Sequence, residues 1–286
     1  MSVTVVPIET VPEIEKIHPR QGKFLFRRLL KGTDGSPNNF TFEMSRTYAD
    51  FYSPRHRHNF DQFRFQLEGD FSFSRDGKSK PGTLIYHPES APYGPQSSDE
   101  EAVVLVLQFG GASGNGYVSS TEQKAAIEEL EKHGTFANGA YTRIDENGKK
   151  VNKDAFEAVW EQVNGRPINY AKPRYQGPIF MHQDSYSWVP VDGNPGVSQK
   201  LMGVFTERRT EAGFLRLEAG ASCELSGPKL YFVTGGAGTV GDAAVAKHTS
   251  IHVEAGDRAT ITASEPIEML FLGLPNFEEK EMRKAA

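Results

Sequence analysis

Two histidines stand two residues apart in His56-Arg57-His58-Asn59-Phe60-Asp61-Gln62, and Gly69 follows Gln62 by seven residues. Side chains two apart on an extended strand point to the same side, and two imidazoles on one side can bind one metal ion. Gln62 sits where a third ligand is expected, and Gly69 closes the strand in a turn. If Gln62 points into the interior of a barrel, alternation sends Arg64 and Gln66 the same way and Phe63, Phe65 and Leu67 the other. An interior arginine is costly unless paired. Arg64 therefore serves an anionic substrate group, with Gln66 on the same substrate-facing side, or it pairs with an acidic residue or turns to solvent at a bulge. Outward Phe63 and Phe65 need cover from a second sheet, a helix or a partner subunit, and this is one reason to expect a homodimer. His182 and Asp184 have the same two-residue spacing and form a candidate acid–base pair if their strand crosses to the first strand-rich half, or a surface pair if it does not.

The elements that must position these groups are short strands. Lys23 to Phe26, Phe40 to Met44, Gln62 to Leu67, Asp70 to Ser74, Thr83 to Tyr86 and Val103 to Phe109 are separated by turn residues such as Asp76-Gly77 and Pro81-Gly82. A second group runs Gly213 to Leu217, Leu230 to Val233, Ser250 to Val253, Ala259 to Thr262 and Ile267 to Leu272. Many short strands with regular turns imply a sandwich or barrel. Between the groups, Ser120 and Gln123 have capping-box spacing ahead of a helix ending at His133-Gly134. Asn152 can cap a second helix carrying Phe156, Val159, Trp160 and Val163 and stopping at Asn164-Gly165. Trp160 completes that helix's apolar stripe and reads as core.

The two strand-rich halves look like a diverged repeat. Gln62-to-Gly69 matches Lys229-to-Gly236, and Pro81-Gly82-Thr83 matches Ala255-Gly256-Asp257. On that alignment His56, His58 and Gln62 become Cys223, Leu225 and Lys229. A leucine and a cation do not bind a metal, so the second half is expected to carry no such site. The expected organisation is residues 1–118 with the candidate site, a helical connector at 119–172, and residues 173–286 without metal ligands.

Composition narrows the function classes. Hydrophobic residues make up 37% of 286, with 28 Gly and 17 Pro, which suits a packed, turn-rich fold. A formal charge of -5 gives no reason to expect nucleic acid. Cys223 is the single cysteine, so there is no intrachain disulfide and no Cys-rich zinc pattern. The first residues lack a secretory pattern and no apolar run approaches a membrane span, so a cytoplasmic protein is expected, with no membrane partner. Arg208-Arg209 and Glu278 to Arg283 read as solvated charged faces, and Gly235-Gly236-Ala237-Gly238 as a turn, since no Lys-Ser/Thr or helix follows it.

The spaced His-x-His, polar third position and glycine resemble the first motif of the cupin superfamily, and the repeat resembles a bicupin. The resemblance spans roughly residues 40–110 and 200–275. It implies a mainly β fold, two jelly-roll barrels joined by a helical segment. It also implies a metal-dependent enzyme, dioxygenase-like, acting on a small oxygen-rich or aromatic substrate. Isomerase or decarboxylase chemistry and a non-catalytic ligand-binding role are the alternatives. The family's usual His-His-Glu-His set becomes His56, His58, Gln62 and Tyr93, departing at the last two. Tyr93 would coordinate or donate a proton, and His87 is an alternative third ligand. The cofactor implied is one divalent transition metal, iron first, with zinc, nickel, copper or manganese also suited to imidazole.

Overall fold

The computed structural model describes residues 3–17, 23–36, 38–137 and 139–277. The charged run Glu278 to Arg283 lies outside them. Two antiparallel seven-stranded sheets dominate. One has the order Ile179–His182, Thr83–His87, Asp61–Glu68, Ala102–Phe109, Phe40–Thr47, Lys23–Lys31, Ile14–Ile17. The other has the order Val3–Val6, Ser250–Val253, Lys229–Gly235, Ile267–Gly273, Glu211–Leu217, Val197–Val204, Val189–Pro190. Each large sheet is matched by a four-stranded one: Tyr52–Ser53, Gln96–Ser97, Phe71–Ser72 and Lys78–Ser79 in the first half, and Ser222–Ser226, Arg258–Ala263, Ala237–Val240 and Ala243–Ala246 in the second. The result is two jelly-roll barrels of equivalent topology. Their edge strands are exchanged: Val3–Val6 pairs with the second barrel's Ser250–Val253, and Ile179–His182 pairs with the first barrel's Thr83–His87.

Alternation in Asp61–Glu68 works as the residue pattern requires. Phe63 and Phe65 leave the first barrel and pack on the second barrel's large sheet, with ring centroids 5.5 Å from Phe205 and 5.4 Å from Phe214. The cover comes from the same chain, so these side chains call for no partner subunit. Phe63 is 1% exposed and also touches Tyr86 and Phe109. Phe63→Ala is expected to cost about 3–5 kcal/mol of stability, read from the midpoint of chemical denaturation at unchanged slope.

The repeat is real, but one register in it differs from the expected alignment. Gly69 and Gly236 correspond: both have positive φ (65° and 84°), and a Cβ would stand 2.3 Å from Glu101 O in one and 2.0 Å from Pro266 O in the other. Gly82, however, corresponds to His248 and not to Gly256. Gly82 N donates to Gln66 O at 2.9 Å and His248 N to Val233 O at 2.7 Å, each just ahead of a Thr whose Oγ1 accepts from the residue three before it. His248 carries φ 69° where Gly82 carries 88°. With Gln62 paired to His87 and Lys229 to Val253, the second barrel places Val253 where the first has His87. Cys223, Leu225, Val253 and Ile261 lie in its apolar core.

The helical segment contributes α1 (Ser120–Leu130), α2 (Ala155–Asn164) and a three-stranded sheet of Gly134–Ala137, Ala140–Ile144 and Lys150–Asp154. The caps fall one and two residues from the expected positions. Ser119 with Glu122 forms the capping box of α1, and Asp154 caps α2. Both choices place an acceptor on the first free N–H groups and a carboxylate at the positive end of the helix. Gly165 ends α2 in the left-handed region at φ 62°. Trp160 is buried at 1% exposure, as its place in the stripe requires.

Candidate functional site

His56 and His58 lie just ahead of the regular strand Asp61–Glu68, not within it. A two-residue bridge does the positioning instead. His56 N donates to Tyr93 O at 3.1 Å and Tyr93 N to His56 O at 2.9 Å, while Ser90 N donates to His58 O at 2.7 Å. The bridge sets Tyr93 opposite His56, and three side chains then meet its hydroxyl. His56 Nε2 and His58 Nε2 are each 3.1 Å from Tyr93 Oη, and Gln62 Nε2 donates to it at 2.7 Å. His56 Nδ1 is 2.6 Å from Pro54 O, a carbonyl that can only accept, so the proton sits on Nδ1 and the Nε2 lone pair faces Tyr93.

Donors bound cis at about 2.1 Å from one octahedral ion stand about 3.0 Å apart, and tetrahedral donors about 3.4 Å. The two His–Tyr separations of 3.1 Å fall in that interval. Those two separations suit hydrogen bonds to the Tyr93 oxygen and a shared divalent transition metal alike. Gln62 is turned otherwise. Its Nε2 faces Tyr93, while its Oε1 accepts from Gln108 Nε2 at 3.2 Å, and Gln108 Oε1 accepts from the Tyr117 hydroxyl at 2.9 Å. In this arrangement Gln62 orients the Tyr93 oxygen and gives its own lone pairs to Gln108, which differs from the ligand role expected of it. Among the described residues no group of three His, Cys, Asp or Glu side chains could hold a metal; the third oxygen or nitrogen atom beside the two imidazoles is Tyr93 Oη.

Arg64 points inward, as alternation predicts. Among the described residues it pairs with no acid: Nη1 donates to Gln96 Oε1 at 2.6 Å, Nε is buried without a partner, and the guanidinium lies 5.7 Å and 5.9 Å from the ring centroids of Phe73 and Tyr93. Burial lowers its pKa, and the Tyr93 oxygen works against that. Arg64 and His58 line a cavity of about 530 Å³ between the barrel and its helical roof. The roof includes Phe156 of α2, whose ring stands edge-on to His58 at 5.5 Å, while Phe60 stacks on His58 at 4.4 Å.

The other expected site residues fall elsewhere. Gln66 is buried, and its amide donates to Glu68 O at 2.8 Å and Val103 O at 3.4 Å, across the bulge at Val103/Val104. It is engaged by backbone and does not line the cavity. His87 is buried with both ring nitrogens unpartnered, and it packs on the Tyr93 ring at 4.3 Å without a hydrogen bond to its hydroxyl. Burial first, and then the Arg64 charge, push its pKa well down, so it is a buried neutral residue. His182 does cross to the first barrel, but it pairs with Thr83, at the far end of that strand from His87. It is part-exposed, 3.7 Å from Asp184 and 3.1 Å from Pro81 O.

One network had no signal in the residue pattern. Asp61, beside Gln62, accepts from the Tyr86 hydroxyl at 2.9 Å and Glu89 N at 2.7 Å. Buried Glu89 accepts from Ser113 N at 3.0 Å and pairs with Arg174 at 2.9 Å, and Arg174 also holds Glu207 at 2.6 Å. Burial first, and then the Glu89 charge, raises the Asp61 pKa to about 7. These groups tie the start of the Gln62 strand to the 88–92 segment that leads into Tyr93.

No protein-family model and no curated protein matches the sequence. Solved structures do. A protein named putative dioxygenase from Nostoc punctiforme superposes with TM-score 0.64 at 11% identity, over 96% of this chain and 83% of that one. Streptomyces albus HEPD, solved with 2-hydroxyethylphosphonate and Fe(II) bound, gives 0.58 at 12% identity, over 99% and 78%. A single-substitution variant of oxalate decarboxylase from Bacillus subtilis gives 0.53 at 12% identity, over 95% and 77%. Among the described residues no helix is long and apolar enough to cross a membrane. The architecture these proteins share with this chain is the cupin fold.

Proposed function

We propose that the chain is a bicupin enzyme whose first barrel uses one divalent transition metal, iron first, in dioxygenase-like chemistry on a small oxygen-rich or aromatic substrate. The observation that carries this reading is the meeting of His56 Nε2, His58 Nε2 and Tyr93 Oη within 3.1 Å beside a cavity. Dioxygenase-like chemistry and iron also draw on the names of the structurally similar proteins. A bound ion supplies Lewis-acid and redox chemistry toward a substrate that chelates through oxygen. The chain's residues do the rest. Pro54 O fixes the His56 tautomer, and Gln62 donates to Tyr93 Oη and so holds that oxygen in place. Tyr93 Oη–H faces the Nε2 lone pair of His56, so its proton has a place to go. Phe60 and Phe156 shield His58 from water, and Arg64 offers a guanidinium fork to an anionic group.

The neutral donor set and the N–H that Gln62 turns toward Tyr93 favour a second reading, a metal-free ligand-binding protein. Metal content separates the two. Purified protein, reconstituted anaerobically with Fe(II) and desalted, is expected to retain about one iron per chain, and His56→Ala/His58→Ala none. Absence of stoichiometric metal in the reconstituted protein would remove the enzyme reading.

A further inference from the structure

We propose that the cavity takes an amphipathic monoanion: a carboxylate set against Arg64, with a one- or two-ring or branched aliphatic body among the phenylalanines of the roof and walls. Two features carry this, and they are independent of each other. The first is charge. Arg64 is an inward cation whose hydrogen-bonding partner is the neutral Gln96 and whose other contacts are aromatic faces, with no carboxylate in reach among the described residues. A buried, uncompensated charge is expensive, and the part of Arg64 that stays accessible faces the cavity. The other cation on the cavity wall, Arg28, is already matched, by Glu43 at 3.2 Å and Ser120 Oγ at 2.7 Å. The cavity wall also carries Glu131, which is exposed at the roof, so Arg64 is the inward wall cation without an acidic partner among the described residues, and its planar fork fits a carboxylate.

The second feature is volume and lining. The cavity is about 530 Å³, and Phe24, Phe26, Phe51, Phe71, Phe136 and Phe156 stand around it. Oxalate or 2-hydroxyethylphosphonate would satisfy Arg64 and leave this space to water, against apolar walls that gain only from apolar contact. An arylalkyl or branched acid fills both parts. Arg64 lies 5.9 Å from the Tyr93 ring, and of the three donors His58 lines the cavity with it, so the candidate centre is at the Arg64 end. The point of reaction then falls near the carboxylate end and the body reaches toward α1 and α2. This orientation relative to chemistry rests on the metal-centre reading above, whereas the binding preference does not.

The test is calorimetric titration of chelator-treated and iron-loaded protein with 4-phenylbutyrate, its neutral analogue 4-phenylbutanol, acetate and oxalate. 4-Phenylbutyrate is expected to bind at least about tenfold more tightly than each of the other three, the range of one charge-assisted hydrogen bond. Arg64→Gln should bring the acid down to the level of the alcohol, and Phe156→Gln should weaken 4-phenylbutyrate while leaving acetate unchanged. Equal binding of acid and alcohol, tighter binding of oxalate or acetate, or an Arg64→Gln protein that still prefers the acid overturns the proposal. If Arg64→Gln fails to fold by circular dichroism, the acid–alcohol comparison on the unsubstituted protein decides. Acid preference in protein that takes up no iron sinks the metal reading alone, and iron uptake without acid preference sinks this one alone.

Discussion

Gln62→Glu with Tyr93→His is expected to bind Fe(II) or Mn(II) far more tightly than the unsubstituted chain, about a hundredfold or more. At present two neutral imidazoles and a phenol share one point, and Gln62 presents an N–H to it. A phenol must give up its proton before it binds well, against an ordinary pKa near 10. The double substitution replaces that group with an imidazole needing no deprotonation and converts the amide into a carboxylate carrying negative charge. The bridge that holds residue 93 opposite His56 is backbone to backbone, so it survives the change. Tyr93→Phe runs the other way. The ring stays packed between His87 and Phe73, but the oxygen is gone, and retention of iron should fall by about tenfold to a hundredfold. Any phenolate-to-Fe(III) absorption seen in air-oxidised protein should vanish with it. Competition titration against a metal-sensitive dye reads all three proteins. Iron affinity in Tyr93→Phe equal to that of the unsubstituted chain would show that Tyr93 is not a ligand.

What could be read in the residues was whatever local periodicity encodes. Alternation put Arg64 inside and Phe63 and Phe65 outside, and the structure agrees, because a pleated strand allows no other arrangement once one face is fixed. Gln66 obeyed the alternation and still left the substrate side, because the bulge at Val103/Val104 drew its amide to backbone carbonyls, and a bulge is a feature of pairing that neither strand announces alone. The meeting of Tyr93 with His56 spans 37 residues and is made by one isolated bridge, so the pattern could propose the pair by family spacing but could not show the shared oxygen. Exchange of Val3–Val6 and Ile179–His182 between barrels left no local mark, since an edge strand carries the same alternation whichever sheet it joins. In the second barrel, a histidine at positive φ stands where the first has Gly82, and a search for glycine settles on Gly256 in its place. Asp61 carries no local mark of its role, because an aspartate at the start of a strand usually faces water. Here Tyr86, Glu89 and the barrel close around it.

Asp61→Asn is expected to gain stability relative to the unsubstituted chain as the pH rises from about 4 to about 7, and to keep that gain at pH 8. Asp61 titrates near pH 7 in the folded state, raised by burial and next by the Glu89 charge, against roughly 3.9 in an unfolded chain. The folded state therefore holds this proton where the unfolded chain has released it. Between about pH 4 and pH 7 the folded form binds more protons, so stability falls as pH rises through that window and is flat on either side. Three pH units correspond to about 4 kcal/mol, an upper figure for a site whose neighbours relax as it ionises. Asparagine removes the charge and keeps both contacts: its oxygen accepts from Glu89 N, and its amide donates to Tyr86 Oη, a hydroxyl that accepts as readily as it donates. Chemical denaturation of both proteins at half-unit steps from about pH 4 to 8.5 reads the difference. The gap should widen in favour of the asparagine up to neutrality and level off above it. A constant gap over that range would mean that Asp61 keeps one protonation state throughout, and a gap in the opposite sense would mean that its charge is stabilised where it lies, most directly by Arg174 across Glu89.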